Sequence, residues 1–162
     1  MSEPITMIVE IPRGSRNKYE ADHETGEIFL DRMLFTSTHY PADYGFIPHT
    51  LAEDGDPLDI MALVVEPTFP GCRIRVRPIG VFLMEDQGHA DHKVISVPWG
   101  DPRWDGTRDV GDLPEHLRLE FEHFFSVYKQ LEKKKTAVLG WRPLAEASVV
   151  IAESLARYGP AS

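Results

Sequence analysis

The chain has 162 residues, 42% of them hydrophobic, which is the size of one ordinary domain with a substantial core. Its 26 Asp and Glu residues outnumber its 17 Lys and Arg residues, and the net charge of −9 argues against a nucleic-acid or anionic-membrane binder, because such proteins depend on basic patches. The single cysteine, Cys72, excludes an intramolecular disulfide and a cysteine-based zinc site. No stretch approaches the roughly 20 apolar residues that cross a bilayer. We therefore expect one soluble, cytoplasmic domain over residues 1–162.

Up to residue 98, apolar and polar residues alternate with a period of two in short segments that are separated by turn residues. This pattern predicts a series of short strands. A continuous apolar run after residue 59 has the length of a buried strand, and a longer segment further on predicts one strand bent near Pro78-Ile79-Gly80. The predicted strands are residues 5–11, 17–21, 27–30, a short one near Phe46, 60–65, 72–84 and 91–97, with turns at 23–26 and 85–90.

Helical spacing replaces this pattern in the C-terminal part of the chain. Apolar residues at steps of three or four predict a helix that starts at 112–115, with Asp112 as the capping acid, and continues through Leu131. Residues 144–158 predict a second helix, closed by Gly159-Pro160. Its predicted buried face consists of Leu144, Ser148, Ile151, Leu155 and Tyr158. A strand-rich body followed by two helices indicates an α+β fold, and the short strands could close into a small barrel.

The most concentrated chemistry lies at Asp54-Gly55-Asp56-Pro57-Leu58-Asp59. Two unit charges about 4 Å apart repel by roughly 1 kcal/mol in water and about 4 kcal/mol at a partly buried site, so three adjacent carboxylates must separate, raise a pKa or recruit a cation. An EF-hand is excluded, because its fifth, sixth and twelfth positions would hold Leu58, Asp59 and Val65. Taken alone, the segment is more typical of a surface turn.

Two further pairs combine an acid with a base on one strand face, namely Lys18 with Glu20 and Asp91 with Lys93. Each pair could be a surface ion pair that contributes about 0 to 1 kcal/mol. Together with the acidic segment, however, they provide oxygen ligands that suit Mg²⁺ and cationic donors that suit phosphate oxygens. This combination predicts a site for a metal-phosphate complex. The His89-x-x-His92 spacing lacks a third convincing ligand and does not predict a zinc site.

In these residues the chain resembles the soluble family I inorganic pyrophosphatases, with motifs in the family's order from about residue 8 to residue 132. The most specific motif is D-G-D-P-L-D at 54–59. The supporting motifs are Ile8-Val9-Glu10-Ile11-Pro12, Lys18-Tyr19-Glu20, Leu30-Asp31-Arg32, Tyr40-Pro41, Tyr44-Gly45, Asp86 with Asp91-x-Lys93, and His123-Phe124-Phe125 leading to Tyr128-Lys129. The chain departs from the family pattern at Lys134, where a glycine is usual, and at the turn 87–90.

The resemblance implies a role for each matching residue. Asp56 matches the general base that takes a proton from the attacking water, and Tyr40 matches a supporting residue. The carboxylates that match the metal site are Asp54, Asp59, Asp91, Asp86 and Glu20, with Glu10 behind them. The donors that match the phosphoryl site are Lys18, Arg32, Tyr44, Lys93, Tyr128 and Lys129. The resemblance also implies a five-stranded OB-like barrel with flanking helices, several Mg²⁺ ions per site and assembly into a hexamer.

We therefore expect Mg²⁺-dependent hydrolysis of pyrophosphate to two orthophosphates by direct attack of an activated water. Two alternatives stay open at this point. A metal-dependent hydrolase of nucleoside triphosphates is disfavoured because the sequence has no P-loop. A non-catalytic, cation-binding OB-like module would leave the combination of acids and phosphate donors unexplained. We expect neither nucleic acid nor a membrane as a partner, given the charge of −9.

Overall fold

The computed structural model describes residues 3–160. Its strands and helices, in chain order, are β1 (Ile5–Ile11), β2 (Asn17–Ala21), β3 (Ile28–Met33), β4 (Asp43–Phe46), β5 (Asp59–Ala62), β6 (Arg73–Asp86), β7 (His89–Ala90), β8 (Lys93–Pro98), α1 (Glu115–Val127), β9 (Thr136–Pro143) and α2 (Leu144–Tyr158). This confirms an α+β order in which strands dominate the first half. Neither helix is long and apolar enough to cross a membrane.

Five strands form a closed ring, as expected for an OB-like barrel. β1 pairs with β4, β4 with β5, β5 with β8, and β8 with β6, which returns to β1. The β5–β8 pair is parallel and the other pairs of the ring are antiparallel. β7 and β9 extend the sheet along β6, while β2 and β3 form a separate ribbon.

β6 is the strand that joins these parts. It has 14 residues, so it can pair with β1 at one end, with β8 in the middle and with β9 towards the other end. Its register against β8 shifts between Pro78 and Gly80, which confirms the predicted bend. A bulge of this kind increases local twist and lets one strand serve two neighbours.

Two buried clusters lie on opposite sides of the ring. One is rich in aromatic residues, and there Phe82 of β6 packs with Phe121, Phe124 and Phe125 of α1. The other is aliphatic and includes Ile151 of α2 with residues of β1, β5 and β8. The two helices therefore cover different faces of the barrel, and the ring between them positions the polar side chains described below.

Several strand boundaries differ from those predicted. The predicted turn at 85–90 is a tight hairpin, because Gln87 and Gly88 both have positive φ (52° and 82°) and turn the chain directly from β6 into β7. The strand predicted at 91–97 begins at Lys93, and the strand predicted at 60–65 is Asp59–Ala62. Asp59 is thus the first residue of β5 rather than part of the preceding loop.

β9 was absent from the predicted elements. Its burial alternates from Thr136 to Gly140, so a period-two signal exists. That signal is short, and Gly140, with φ of 117°, breaks it. The strand is specified mainly by pairing with β6, and such long-range pairing is not visible in a local pattern.

The predicted ends and faces of the helices were partly wrong. Asp112 does not cap α1: its carboxylate accepts hydrogen bonds from the Arg108 and Asp109 backbone N–H groups (2.9 and 3.0 Å), because extended Leu113 and Pro114 separate it from the helix. α1 ends at Val127, and Leu131 lies in a 3₁₀ turn, largely exposed. The prediction that the helical face continues to Leu131 is therefore wrong.

α2 has the predicted bounds, but its buried face agrees with the prediction only at Ile151. Ala147, Ile151 and Ser154 are buried, whereas Leu155 and Tyr158 are about half exposed. The helix packs against β6 and β9, and small side chains at the contact allow this close approach. The predicted burial of Ser148, Leu155 and Tyr158 is therefore wrong, since all three are exposed.

Gly45 allows β1 and β4 to pair closely. A Cβ atom on Gly45 would lie 1.9 Å from the Ile8 carbonyl oxygen, which is backbone and cannot move aside like a side chain. We expect Gly45→Ala to lower the free energy of unfolding by about 3 kcal/mol, at the upper end of typical overpacking costs. Urea denaturation measures this, with Gly106→Ala as the control, because nothing lies within 4 Å of a Cβ there. Equal stability of the two variants would contradict the prediction.

Candidate active site

One cavity of about 190 Å³ gathers nearly all of the predicted site residues. The ring strands, the loop before β5, the segment before β8 and the end of α1 each contribute side chains to it. The predicted residues that line it are Glu10, Lys18, Glu20, Tyr40, Tyr44, Asp54, Asp56, Asp59, Asp86, Asp91, Lys93, Tyr128 and Lys129. Arg32 is the one predicted residue outside this lining.

Lys93 lies at the centre of the polar network. Its ammonium group donates to Asp91 Oδ1 (3.0 Å), Asp59 Oδ2 (3.2 Å) and the Tyr44 hydroxyl (2.6 Å), and that hydroxyl donates to Asp59 (2.8 Å). The parallel pairing of β5 with β8 sets Asp59 opposite Lys93. Lys93 is only 1% exposed, and its ammonium also lies 5.6 Å from the ring centroid of Phe125. A single buried cation thus holds two carboxylates together.

The charge states in this network follow from burial and proximity. Burial raises the pKa of Asp59 to about 6, and Lys93 opposes this effect while the nearby Asp91 adds to it. For Asp91, burial is outweighed by the ammonium of Lys93, so its pKa is lowered. Burial disfavours the Lys93 ammonium, but Asp59 and Asp91 together raise its pKa. Burial also raises the pKa of Tyr44 well above its ordinary value, so this hydroxyl stays protonated as a donor.

Glu10 lines the cavity from β1 and is 8% exposed. Its Oε2 accepts a hydrogen bond from the Ala21 backbone N–H (2.8 Å), which ties β1 to the end of β2. Burial raises the pKa of Glu10 to about 7, although that hydrogen bond lowers it. Glu10 is therefore an acidic group that is easily neutralised by a proton or by a nearby cation.

Residues 50–58, which we call the acidic loop, carry Asp54 and Asp56 to the rim. Asp54 Oδ1 accepts a hydrogen bond from the Asp56 backbone N–H (3.0 Å), which links the two residues within the loop. Burial raises the pKa of Asp54. Within residues 3–160, no hydrogen bond engages the Asp56 carboxylate, which leaves it able to accept a proton or orient water.

The basic side chains around the cavity are each paired with an acid. Lys129 forms an ion pair with Asp86, and Lys18 lies 3.5 Å from Asp31. Arg32, opposite Lys18 in the β2–β3 ribbon, contacts Asp31 and the buried Glu132, with Nη2 2.8 Å from Glu132 Oε1. These two acids hold Arg32 at the edge of the cavity instead of inside it.

Sequence reasoning missed several residues that shape the site. Phe125 lines the cavity and contacts the Lys93 ammonium, while Glu132 and Asp31 orient Arg32. Phe125 belongs to a recognised motif, but its direction depends on how α1 packs. Among the histidines, His23 packs edge-on against Phe46 at 4.7 Å, and His89 and His92 lie outside the cavity lining.

The donor chemistry fits a hard divalent cation. Among residues 3–160, no three His, Cys, Asp or Glu side chains converge tightly enough to enclose a metal alone. Mg²⁺ commonly retains waters and is bound by one or two carboxylates together with substrate phosphates, so open, oxygen-only coordination suits it. The Lys93 ammonium between Asp59 and Asp91 also shows that these carboxylates attract positive charge. Asp54, Asp59, Asp86 and Asp91 are the residues available to hold cations.

An OB-like barrel whose cavity combines open carboxylates with lysine and tyrosine donors defines a class of protein that handles phosphate through metal ions. A family model described as inorganic pyrophosphatase matches residues 7–159. The chain belongs to the inorganic pyrophosphatase family, and this membership implies a requirement for a divalent metal.

Individual relatives agree with this assignment. The chain is 53% identical over 146 residues to an inorganic pyrophosphatase of Leifsonia xyli, covering 90% of each chain. It is 53% identical over 152 residues to that of Methanosarcina mazei, covering 94% of this chain and 90% of the relative. The crystal structure of inorganic pyrophosphatase from Thermus thermophilus superposes with a TM-score of 0.93 at 47% identity, covering 98% of this chain and 93% of that one.

Proposed function

We propose that this protein is an enzyme that hydrolyses inorganic pyrophosphate to two orthophosphate ions, with Mg²⁺ as its metal. The observation that carries the proposal is the convergence, on one cavity, of carboxylates for cations and of lysine and tyrosine donors for phosphate, in a chain of the pyrophosphatase family. Pyrophosphate is a polyanion that bare carboxylates would repel, so cations must stand between the two.

We assign the residues as follows. Asp56 is the general base, and Tyr40 supports the site as a buried side chain packed edge-on against Tyr44. The metal-site carboxylates are Asp54, Asp59, Asp91, Asp86, Glu20 and, behind them, Glu10. The substrate donors are Lys18, Arg32, Tyr44, Lys93, Tyr128 and Lys129.

When bound, the cations supply positive charge to the phosphoryl oxygens and make water acidic enough to ionise near neutral pH. The Asp56 carboxylate accepts a proton from the attacking water, whose oxygen forms the new P–O bond while the bond from phosphorus to the bridging oxygen breaks. The electron pair stays on the departing phosphate. The lysine ammonium groups and the Tyr44 hydroxyl stabilise that charge, which is the usual electrostatic strategy of phosphoryl transfer.

The ion pairs suggest how the donors become available. Lys93 is paired with Asp59 and Asp91, and Lys129 is paired with Asp86. Once cations bind the carboxylates, these lysines can release the carboxylate oxygens and bind phosphate oxygens instead. Each ammonium then keeps the same number of contacts with negative charge. Arg32 can enter the cavity only if it loosens its contacts with Asp31 and Glu132.

We propose that residues 1–162 act as one domain, that the protein is cytoplasmic, and that it binds neither nucleic acid nor membranes, in keeping with the charge of −9. We also propose a homohexamer, on the basis of the family resemblance.

Substrate and metal dependence test the function directly. We expect rapid orthophosphate release from pyrophosphate with Mg²⁺, little release from ATP or a phosphomonoester, and none from pyrophosphate with excess chelator. The physical reason is that the small cavity suits a diphosphate and that its carboxylates repel the substrate without cations. Turnover that persists with chelator, or a preference for ATP with Mg²⁺, would contradict the proposal.

A further inference from the structure

The acidic loop is closed on itself by backbone hydrogen bonds. The Ala52 N–H donates to the Asp56 carbonyl (2.7 Å), and the Gly55 N–H donates to the Ala52 carbonyl (3.1 Å). At its two ends, the Thr50 hydroxyl accepts from the Leu58 N–H (2.9 Å) and donates to the Ile47 carbonyl. The Ile47 N–H also donates to the Leu58 carbonyl (2.9 Å), so the end of the loop is fixed there. The first residues of the loop are attached separately.

The C-terminal turns of α2 hold those first residues. The Leu51 N–H donates to the Ser154 carbonyl (3.0 Å), and Nη1 of Arg157 donates to the Leu51 carbonyl (2.9 Å). Both backbone polar groups of Leu51 are thus bound to one helix. Next to them, His49 Nδ1 lies 3.4 Å from the Tyr158 hydroxyl, and the two rings meet edge to face.

A second small cavity, of about 80 Å³, lies behind the loop. Asp54, Asp59 and Asp91 line it on the active-site side, and Glu153 and Arg157 line it on the α2 side. The same three residues also line the active-site cavity, so the small cavity lies next to the site carboxylates. The hydrogen bonds at Leu51 connect α2 directly to the loop that carries Asp54.

We propose that Arg157 is a positioning residue that holds the acidic loop in its metal-binding position through the Leu51 carbonyl. This inference rests on the proposed function, because it concerns how the carboxylates of that site are presented. The only other polar contact of Arg157 within residues 3–160 is an i,i+4 ion pair with Glu153 at 4.0 Å. An exposed pair of this kind contributes little, so the main partner of the guanidinium is the loop.

Arg157→Gln tests the inference in the metal-free protein first. We expect amide hydrogen exchange of residues 51–58 to accelerate by about tenfold, because a charge-assisted hydrogen bond at the root of the loop is lost. Calorimetric titration with Mg²⁺ is expected to show affinity weakened by about tenfold, while turnover at saturating Mg²⁺ and pyrophosphate falls less than twofold. Arg157→Lys, which retains a donor, is expected to recover a large part of the affinity.

Arg142→Gln is the matched control. Arg142 likewise donates to a backbone carbonyl, that of Trp141 (3.0 Å), and forms an i,i+4 pair with Glu146, and within residues 3–160 it makes no hydrogen bond or ion pair with the acidic loop. We expect exchange and Mg²⁺ affinity of this variant to equal those of the unmodified protein. The inference would be overturned if Arg157→Gln had the same hydrogen-exchange rates and Mg²⁺ affinity as the unmodified protein. It would also be overturned if Arg142→Gln changed both quantities as much as Arg157→Gln does.

Arg157→Met provides a second variant if the glutamine variant is unstable, because it keeps the aliphatic stem on α2 and removes every donor. The same exchange and affinity changes are expected, and their absence would overturn the inference. Exchange in the metal-free protein does not depend on turnover. A protein that lacks pyrophosphatase activity but responds as expected would therefore refute the proposed function and leave the positioning role intact.

Discussion

Asp56→Asn is expected to lower kcat for pyrophosphate hydrolysis by about 10²-fold or more, which is the usual contribution of a positioned general base. The Asp56 side chain lies on the exposed rim of the acidic loop and lines the cavity. Its backbone makes the hydrogen bonds that close the loop, and asparagine preserves them. The substitution therefore removes a proton acceptor with little change in volume or loop structure.

Steady-state kinetics across a range of pH, at saturating Mg²⁺, measures this effect. The thermal unfolding midpoint is expected to change by no more than a few degrees, because no hydrogen bond to the carboxylate is lost within residues 3–160. Asp105→Asn is the matched control, since Asp105 is exposed in a turn and does not line the cavity. Near-normal turnover of Asp56→Asn at every pH would remove Asp56 from the mechanism.

Lys93→Met is expected to destabilise the metal-free protein by about 3 to 5 kcal/mol, the cost of removing one partner from a buried ion pair. Lys93 is the shared counter-charge of Asp59 and Asp91 and donates to Tyr44 as well. Without it, two partly buried carboxylates face each other and must take up protons or separate. Methionine has nearly the same length, so lost packing contributes little.

Urea denaturation with chelator and with excess Mg²⁺ measures the effect. We expect Mg²⁺ to stabilise Lys93→Met more than it stabilises the unmodified protein, because a cation at Asp59 and Asp91 replaces the missing ammonium. Lys134→Met serves as the control: this side chain is about half exposed and lies 3.9 Å from Glu132, so its loss is expected to cost less than about 1 kcal/mol. Equal stability of the two variants in chelator would show that Lys93 is not the counter-charge.

Loss of the Lys93 side chain is also expected to reduce turnover, because its ammonium group is proposed to bind a phosphate oxygen of the substrate. The two effects can be separated by assaying Lys93→Met at Mg²⁺ concentrations that restore its stability. Activity that remains low in the folded, metal-bound variant indicates the substrate role, whereas full recovery would limit Lys93 to a structural one.

Local pattern was sufficient for much of the fold. The bounds of β1, β2 and α2 follow from period-two or helical spacing and are confirmed, as is the bend of β6 near Pro78. These features depend on interactions between residues close in sequence, and turn or terminating residues mark their limits. β9 and the buried face of α2 could not be predicted in this way, because β6 is their partner and partner choice is a long-range property.

In the candidate site, too, some features follow from the sequence and others only from long-range packing. The chemical types and order of its residues, above all the three acids of Asp54 to Asp59, are determined by the sequence alone and led to one cavity. The tertiary structure alone decided that Lys93 bridges Asp59 and Asp91, that Arg32 is held outside the cavity, and that α2 supports the acidic loop. The physical reason is that a charge selects its partner by distance and burial, and both are set only when strands and helices from distant parts of the chain pack together.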